Sequence, residues 1–263
     1  MSLQEEIIAR LGVKPAVDPE QEIVRRVDFL KAQVKEAGAR GLLIAITCDA
    51  DSAAAAALCK RATDSLTEEL GSSFMTVGVL QPYGEEEELA ACYGLAQALG
   101  LRHVIETNTE DAVNEIALES EFGLKSIGIH QHLSRGGKER VKARTRRMMQ
   151  GALAGELNLL VASADQASKA AAGWSRPETW EGADIRPLAS LTGNQVRQLA
   201  PHLGIPEEAA AGTGETAGFP GAGVSLEQWS LYLEGGDLPA GVREKLEEQY
   251  RRNRHQRELP PGI

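Results

Sequence analysis

The sequence predicts an α/β fold, a doubly wound parallel sheet of about five strands flanked by helices. Short apolar runs typical of buried strands alternate along the chain with longer segments of helical periodicity. The chain has 263 residues, enough for one large α/β domain with a substantial core. Few residues are aromatic and many are Ala or Gly, which favours tight packing of helices on a sheet. We therefore expect a single domain over residues 1–263, including N-terminal helices within residues 1–37.

The first predicted strand is the apolar run Leu42–Ile46, which follows helical segments at Met1–Leu11 and Asp18–Ala37. It breaks into the small and polar residues 47–52 and then enters the Ala-rich segment Ala53–Leu58. A buried parallel strand that turns into a helix N-terminus in this way points free backbone N–H groups at an anion. This turn is therefore the predicted place for a phosphate.

The later segments continue the alternation of strands and helices. Further strands are predicted at Phe74–Leu80, His103–Thr107, Leu157–Ala162 and Asp184–Leu188. Further helices are predicted at Glu85–Leu99, Asp111–Glu121, Lys138–Glu156, Thr192–His202, Leu226–Leu233 and Gly241–Arg252. The connections Phe122–Arg135 and Ala209–Gly223 carry little pattern. Ligands of such sheets bind beyond the carboxyl ends of the strands, at the point where the strand order reverses.

Charge and cysteine content restrict the partners. A net charge of −10 argues against a general binder of nucleic acid or of anionic membranes, and favours small molecules or proteins. Cys48, Cys59 and Cys92 lack metal-ligand spacing, and the sequence has neither a signal peptide nor a long apolar span. We expect a cytoplasmic protein with free thiols, in which Cys59 and Cys92 are small core residues. A redox role for Cys48 is not expected.

Three stretches resemble one known family. Leu3–Pro15 followed by Val27–Lys31 matches its N-terminus without gaps, and Pro82-Tyr83-Gly84 is similar to its Leu-Pro-Tyr-Gly. Lys142-Ala143-Arg144-Thr145-Arg146 resembles its Lys-Ala-Arg-x-Arg. On these residues the chain resembles the ammonia-dependent NAD synthetase family, whose fold is adenine nucleotide alpha hydrolase-like, within the pyrophosphate-loop ATPase superfamily.

The resemblance implies a reaction in two steps. A member of the family adenylates the carboxylate of deamido-NAD with ATP and Mg²⁺, and ammonia then displaces AMP. The family is dimeric, with the dinucleotide bound near the interface. Charge on the phosphates needs a cation and preorganised donors, and Mg²⁺ needs carboxylate oxygens.

The chain departs from the family pattern at several groups expected to contact ATP and Mg²⁺. The family loop Ser-Gly-Gly-x-Asp-Ser reads Thr47-Cys48-Asp49-Ala50-Asp51-Ser52 here, so both glycines are lost. The later Gly-Thr-Asp-His-Ala-Ala-Glu reads Ser163 to Lys169, and the metal-ligand Glu becomes Lys169. The third motif, a Pro-Thr-Ala-Asp-Leu loop, has no counterpart between Ala209 and Gly223. The replaced positions are Cys48, Asp49, Ala164, Lys169, Pro177 and Gly193.

The resemblance assigns candidate binding residues but no confident catalytic residue. The degraded loop keeps Thr47, Asp51 and Ser52 as nucleotide-binding candidates, and Asp51 is also a metal-ligand candidate whose partner Glu is replaced by Lys169. The dinucleotide-binding candidates are Arg144, Asp184 and His255.

Each candidate also has a structural interpretation. Asp51 and Ser52 are equally suited to cap the following helix, and Arg144 is also typical of a solvated face. The structural alternative for Asp184 is to hold a turn, and for His255 it is a place in a charged tail. Trp174 and Trp180 either stack on a base or fill an interface.

From these departures we expect a family member that has lost ATP- and Mg²⁺-dependent amidation, and whether it is an enzyme stays open. Such a chain would retain a pocket for NAD or deamido-NAD, or act as a regulatory subunit, as a homodimer or a heterodimer with an active paralogue. ATP and Mg²⁺ would not be used. The alternatives are an active ammonia-dependent synthetase and a scaffold or adaptor without ligand.

Overall fold

A computed structural model describes residues 2–85, 88–173, 183–211 and 223–254. The strands in these ranges are β1 (Gly41–Ala45), β2 (Met75–Leu80), β3 (His103–Glu106) and β4 (Leu160–Ala162). The helices of the N-terminal half are α1 (Leu3–Leu11), α2 (Pro19–Ala37), α3 (Ala50–Leu70), α4 (Leu89–Ala98), α5 (Glu110–Ser126) and α6 (Arg135–Leu157). The later helices are α7 (Ala167–Ala172), α8 (Gly193–Leu203), α9 (Glu207–Ala211), α10 (Leu226–Leu233) and α11 (Ala240–Arg252).

The four strands form one parallel sheet in the order β3-β2-β1-β4, flanked by helices. Leu43 of β1 lies opposite Val77 of β2 on one side and Val161 of β4 on the other. This confirms the predicted α/β class. The predicted fifth strand is reduced to one parallel bridge, between Ala162 and Ile185. The chain steps from β1 through β2 to β3 and then returns to the far side of β1, so the strand order reverses between β1 and β4.

The Ala-rich helix α3 is central to the core. It packs on β1 and β2 and contacts α2 and α8 on its outer side. Residues 53–56 of this helix, all Ala, are fully buried. Side chains this small let the helix backbone lie close to the sheet, which agrees with the low aromatic content.

Polar caps set several helix ends. Ser225 and Gln228 form a capping box at α10, as their spacing predicts, and Thr192 and Gln195 form another at α8. Trp229 and Tyr232 of α10 lie in a separate hydrophobic cluster that also includes Ile7 of α1. This cluster attaches the N-terminal helix to the C-terminal part of the chain.

The predicted boundaries are corrected at several places. Helix α3 begins at Ala50 and runs to Leu70, well beyond the predicted Ala53–Leu58. The weakly patterned segment Phe122–Arg135 is largely irregular, although α5 continues into it as far as Ser126. Of the loop predicted at Ala209–Gly223, residues 209–211 are helical in α9, and 212–222 lie outside the described residues.

The prediction of free thiols is wrong for two cysteines. Cys48 and Cys92 form a disulfide with their Cα atoms 5.1 Å apart. Cys48 follows β1 and Cys92 lies in α4 after β2, and the ends of these adjacent strands bring the two together. Cys59 is free and fully buried, and burial raises the pKa of its thiol to about 12. None of the helices in the described ranges has the length and hydrophobicity that a membrane crossing needs.

Candidate functional site

The turn between β1 and α3 uses its polar side chains to hold its own shape. Asp49 is the N-cap of α3 and accepts a hydrogen bond from the Ser52 backbone N–H at 2.7 Å. Thr47 Oγ1 donates to Asp49 Oδ2 at 3.0 Å, and Ser52 Oγ accepts from the Thr47 backbone N–H at 3.2 Å. Cys48 adopts a positive φ of 51°, a conformation that Gly enters more easily. The turn therefore keeps a left-handed residue although the glycines are absent.

Asp51, the second residue of α3, forms an ion pair with Lys169 of α7. Asp51 Oδ2 and Lys169 Nζ are 2.6 Å apart, and the two side chains are 12% and 15% exposed. The contact follows from the sheet, because β1 and β4 are parallel neighbours and α3 and α7 follow their carboxyl ends. Asp51 and Lys169 thus meet where the strand order reverses.

Burial and neighbouring charges shift both groups. Burial raises the pKa of the Asp51 carboxyl, although the Lys169 ammonium opposes that effect. Burial alone would lower the pKa of Lys169, but Asp51, Asp49 and Asp165 outweigh burial and raise it. Lys169 is therefore held as a cation between carboxylates.

These residues do not fit a magnesium ion at Asp51, which the family resemblance implies. Mg²⁺ binds oxygen ligands at about 2.0–2.1 Å, and an ammonium lies 2.6 Å from the Asp51 oxygen that would bind it. The position of the family's second carboxylate carries the ammonium itself. Within the described ranges no group of three or more His, Cys, Asp or Glu side chains could hold a metal.

The turn after β4 positions Lys169. Gln166 is the N-cap of α7, and its Oε1 accepts from the backbone N–H of Ser168 at 2.5 Å and of Lys169 at 3.4 Å. Ser163 Oγ donates to Asp165 Oδ2 at 2.7 Å. Arg147 of α6 reaches the same place, with Nη2 3.4 Å from Ser163 Oγ.

Gly193, where the family resemblance places a lysine, lies against Gln166. A Cβ atom added to Gly193 would lie 3.2 Å from Gln166 Nε2 and 3.5 Å from Ser230 Oγ. A side chain at this position would therefore require the end of the Gln166 amide to shift by a few tenths of an ångström.

A buried amide network continues the site to the end of β2, and sequence reasoning missed it. Gln150 Nε2 of α6 donates to Gln81 Oε1 at 2.5 Å, and Gln150 Oε1 accepts from Arg147 Nη1 at 3.0 Å. Arg146 Nε donates to the Gln81 backbone carbonyl at 3.0 Å. A polar residue directly after an apolar strand was the available signal at Gln81. These hydrogen bonds fix the basic helix α6 to the carboxyl end of β2.

The predicted dinucleotide residues are less closely grouped. Arg144 is exposed on α6. Asp184 Oδ2 accepts from the Val161 backbone N–H at 2.8 Å, which satisfies one edge of β4. His255, Trp174, Trp180 and Pro177 lie outside the described residues. Their assigned roles stay predictions.

Comparisons with known proteins identify the relatives of this arrangement. Residues 22–213 match the family model described as NAD synthase. The NH(3)-dependent NAD(+) synthetase of Bacillus subtilis is 34% identical over 278 aligned positions, covering 100% of this chain and 98% of the relative. The protein of the same name from Bacillus velezensis is 33% identical, again over 100% of this chain and 98% of the relative. The crystal structure of NAD+ synthetase from Burkholderia pseudomallei has a TM-score of 0.81, with 26% identity and coverage of 98% of this chain and 96% of that one.

These relatives correct the functional prediction. The expectation that amidation has been lost is wrong, because proteins that match the whole chain at 33–34% identity are named NH(3)-dependent NAD(+) synthetase. That expectation rested on the replaced positions taken together, among them Cys48, Asp49 and Lys169. In the structure Asp49 caps α3, and Lys169 is placed in the turn by Gln166.

Proposed function

The chain belongs to the NAD synthase family, and we propose that it is an active ammonia-dependent NAD+ synthetase. The observation that carries this proposal is similarity over the whole length to proteins named NH(3)-dependent NAD(+) synthetase, at 34% identity for the Bacillus subtilis protein. The reversal of strand order between β1 and β4, with charged groups at both turns, supports it.

The proposed reaction joins two displacements. A carboxylate oxygen of deamido-NAD attacks the α-phosphorus of ATP, and the bond to the β,γ-diphosphate breaks to release pyrophosphate. Ammonia then attacks the acyl carbon of the adenylate, AMP leaves with the bonding electron pair, and a proton is lost to give the amide of NAD.

This chain supplies positive groups along the carboxyl edge of the sheet for the first step. The N-terminus of α3 directs backbone N–H groups toward the edge, and Lys169 lies beside it. Arg147 approaches the same turn from α6 through Ser163. Donors fixed by a folded network stabilise charge that develops on a transferring phosphoryl group.

The direct test is product analysis with the purified full chain. Incubation with ATP, MgCl₂, deamido-NAD and ammonium chloride is expected to yield NAD and AMP in equal amounts. Replacing ammonium with glutamine is the control, and it is expected to yield no NAD. Formation of ADP and phosphate without NAD, or no turnover with ammonium, would contradict the proposal.

We further propose that the chain acts as a homodimer through apolar residues of α5 and α6. Ile127, just after α5, and Met148 of α6 are each 71% exposed, and Phe122 is 52% exposed. Light scattering after size exclusion is expected to give a dimer for the wild type and a monomer for Ile127→Glu with Met148→Glu. A wild-type monomer would contradict this proposal.

We also propose a cytoplasmic location, because ATP and deamido-NAD, the proposed substrates, are intracellular metabolites. Cell fractionation is expected to recover the chain with cytoplasmic markers. Recovery with secreted proteins would contradict the proposal. The experiment is informative because disulfides such as Cys48–Cys92 are rare in cytosolic proteins.

A further inference from the structure

The Asp51–Lys169 pair lies where the proposed function requires a cation for the phosphates of ATP. We propose that the Lys169 ammonium takes the place of a divalent cation at this turn, so that the chain binds ATP without a metal ion at Asp51. This inference rests on the proposed function, which makes ATP the substrate. It concerns nucleotide binding at one position and leaves open which groups assist the later chemistry.

The Asp51–Lys169 pair lies where ligands of this kind of sheet bind. Asp51 follows β1 and Lys169 follows β4, the two strands between which the order of the sheet reverses. Ligands of open parallel sheets bind in the crevice outside these strand ends. Lys169 Nζ carries three protons and lies 2.6 Å from Asp51 Oδ2 in an ion pair. Among the residues that the structure describes, Asp51 is its one partner within ion-pair distance, so donors of the ammonium remain for a phosphate oxygen.

The positive charge of Lys169 offsets the carboxylates around it. The carboxylates of Asp49, Asp51 and Asp165 all stabilise the charged form of Lys169. Without it, three carboxylates would border the turn, and a polyphosphate would be repelled from the N-terminus of α3. Asp49 is already occupied by the Ser52 N–H and the Thr47 hydroxyl. Lys169 neutralises Asp51, the carboxylate that a metal ion would otherwise neutralise.

The turn after β4 is also built to hold the Lys169 side chain. Gln166 Oε1 accepts from the Lys169 backbone N–H, and the Gln166 amide fills the space over Gly193. The lysine that the family resemblance places at position 193 is absent, and a lysine stands instead at position 169. Relative to the family pattern, a lysine is therefore absent from α8 and present in α7.

The test is calorimetric titration of the full chain with ATP, in EDTA and separately in MgCl₂. For the wild type we expect dissociation constants in the two buffers that agree within about threefold, and for Lys169→Met a loss of at least about tenfold in EDTA. Lys169→Arg retains the charge and is expected to retain binding in EDTA. Lys169→Glu restores the family's carboxylate and is expected to bind ATP only with Mg²⁺.

Lys60→Met is the matched control, because Lys60 is a lysine of α3 that pairs with Asp64 one turn along the same helix. It is expected to bind ATP as the wild type does in both buffers. Circular dichroism of each variant reports whether it is folded. If Lys169→Met is unfolded, the comparison of wild type and Lys169→Arg in the two buffers still tests the proposal.

The outcomes separate this inference from the proposed function. Wild-type binding only with Mg²⁺, or unchanged binding by Lys169→Met in EDTA, would overturn the inference even if the wild type forms NAD. Binding in EDTA that depends on Lys169, without NAD formation from ammonium, would support the inference and contradict the proposed function. No ATP binding in either buffer would overturn both.

Discussion

Two ion pairs in this molecule have similar composition and different surroundings. Glu22 and Arg26 lie four residues apart on α2, with side chains 6% and 5% exposed. Arg26 also donates to the carbonyls of Pro187 and Ala189 and to Ser190 Oγ at 3.3 Å. Asp51 and Lys169 lie on different helices, at the carboxyl edge of the sheet.

The comparison teaches how a buried charge can be assigned a structural or a binding role. Both terminal nitrogens of Arg26 donate to the protein, and they hold the segment that leads into α8. Lys169 has one close carboxylate partner and faces two more carboxylates at the place where ligands of such sheets bind. We therefore interpret the Glu22–Arg26 pair as structural and the Asp51–Lys169 pair as a phosphate site.

The largest expected effect concerns the structural pair. Arg26→Met leaves the carbonyls of Pro187 and Ala189 without their donor, and we expect the free energy of unfolding to fall by about 3–5 kcal/mol. Urea denaturation monitored by circular dichroism measures this loss. A loss no larger than that of Lys169→Met would remove the distinction between the two pairs.

The disulfide gives the next effect, because it holds the turn that carries Asp51. The crosslink joins positions 44 residues apart, so Cys92→Ser is expected to lower the free energy of unfolding by about 2–4 kcal/mol under oxidising conditions. Thiol titration of the denatured, unreduced wild type is expected to find one thiol of three, that of Cys59. Three reactive thiols would contradict the crosslink.

The sequence predicted the fold well where the signal is local. The alternation of apolar runs and helical segments indicated β1 to β4, and the spacing of Ser225 and Gln228 indicated the start of α10. The predicted strand at 184–188 is reduced to a bridge at Ile185. Asp184 uses its backbone N–H to donate to the Val161 carbonyl and its side chain to accept from the Val161 N–H, so the pairing with β4 does not continue as a regular strand.

The candidate site was harder to predict because its contacts are distant along the chain. In the sequence alone, Lys169 indicates only a lost metal ligand. In the structure it is the ion-pair partner of Asp51, which lies 118 positions earlier in the chain and 2.6 Å away. The disulfide between Cys48 and Cys92 and the network of Gln81 with Gln150 depend in the same way on strand order. Only the turn itself, with Asp51 and Ser52 at a helix start, was visible in the sequence.

A smaller effect on stability is expected for the Asp51–Lys169 pair. Lys169→Met removes one partner of a largely buried ion pair, and we expect a loss of about 2 kcal/mol in the free energy of unfolding, between the values typical of exposed and fully buried pairs. The burial of Asp51 favours its neutral form, which limits the cost. Urea denaturation beside Arg26→Met gives the comparison, and a loss of several kcal/mol would indicate a structural role for Lys169.

The smallest effect is a pH dependence of the structural pair. Burial would raise the pKa of Glu22, but Arg25 and Arg26 outweigh burial and lower it from 4.5. The folded state thus binds a proton less readily than the unfolded state, so Glu22 contributes stability above pH 4.5 that is lost as the pH falls through its folded pKa. Urea denaturation across this range should show a steeper loss for the wild type than for Glu22→Gln, and parallel curves would contradict the assignment.

The most direct test of the contrast is the thermal shift that ATP produces in EDTA for the wild type, Arg26→Lys and Lys169→Met. A ligand that binds only the folded state raises the melting temperature according to its affinity. We predict similar shifts for the wild type and Arg26→Lys, and a clearly smaller shift for Lys169→Met because of its weaker binding. An undiminished shift in Lys169→Met, or its loss in Arg26→Lys alone, would contradict the account.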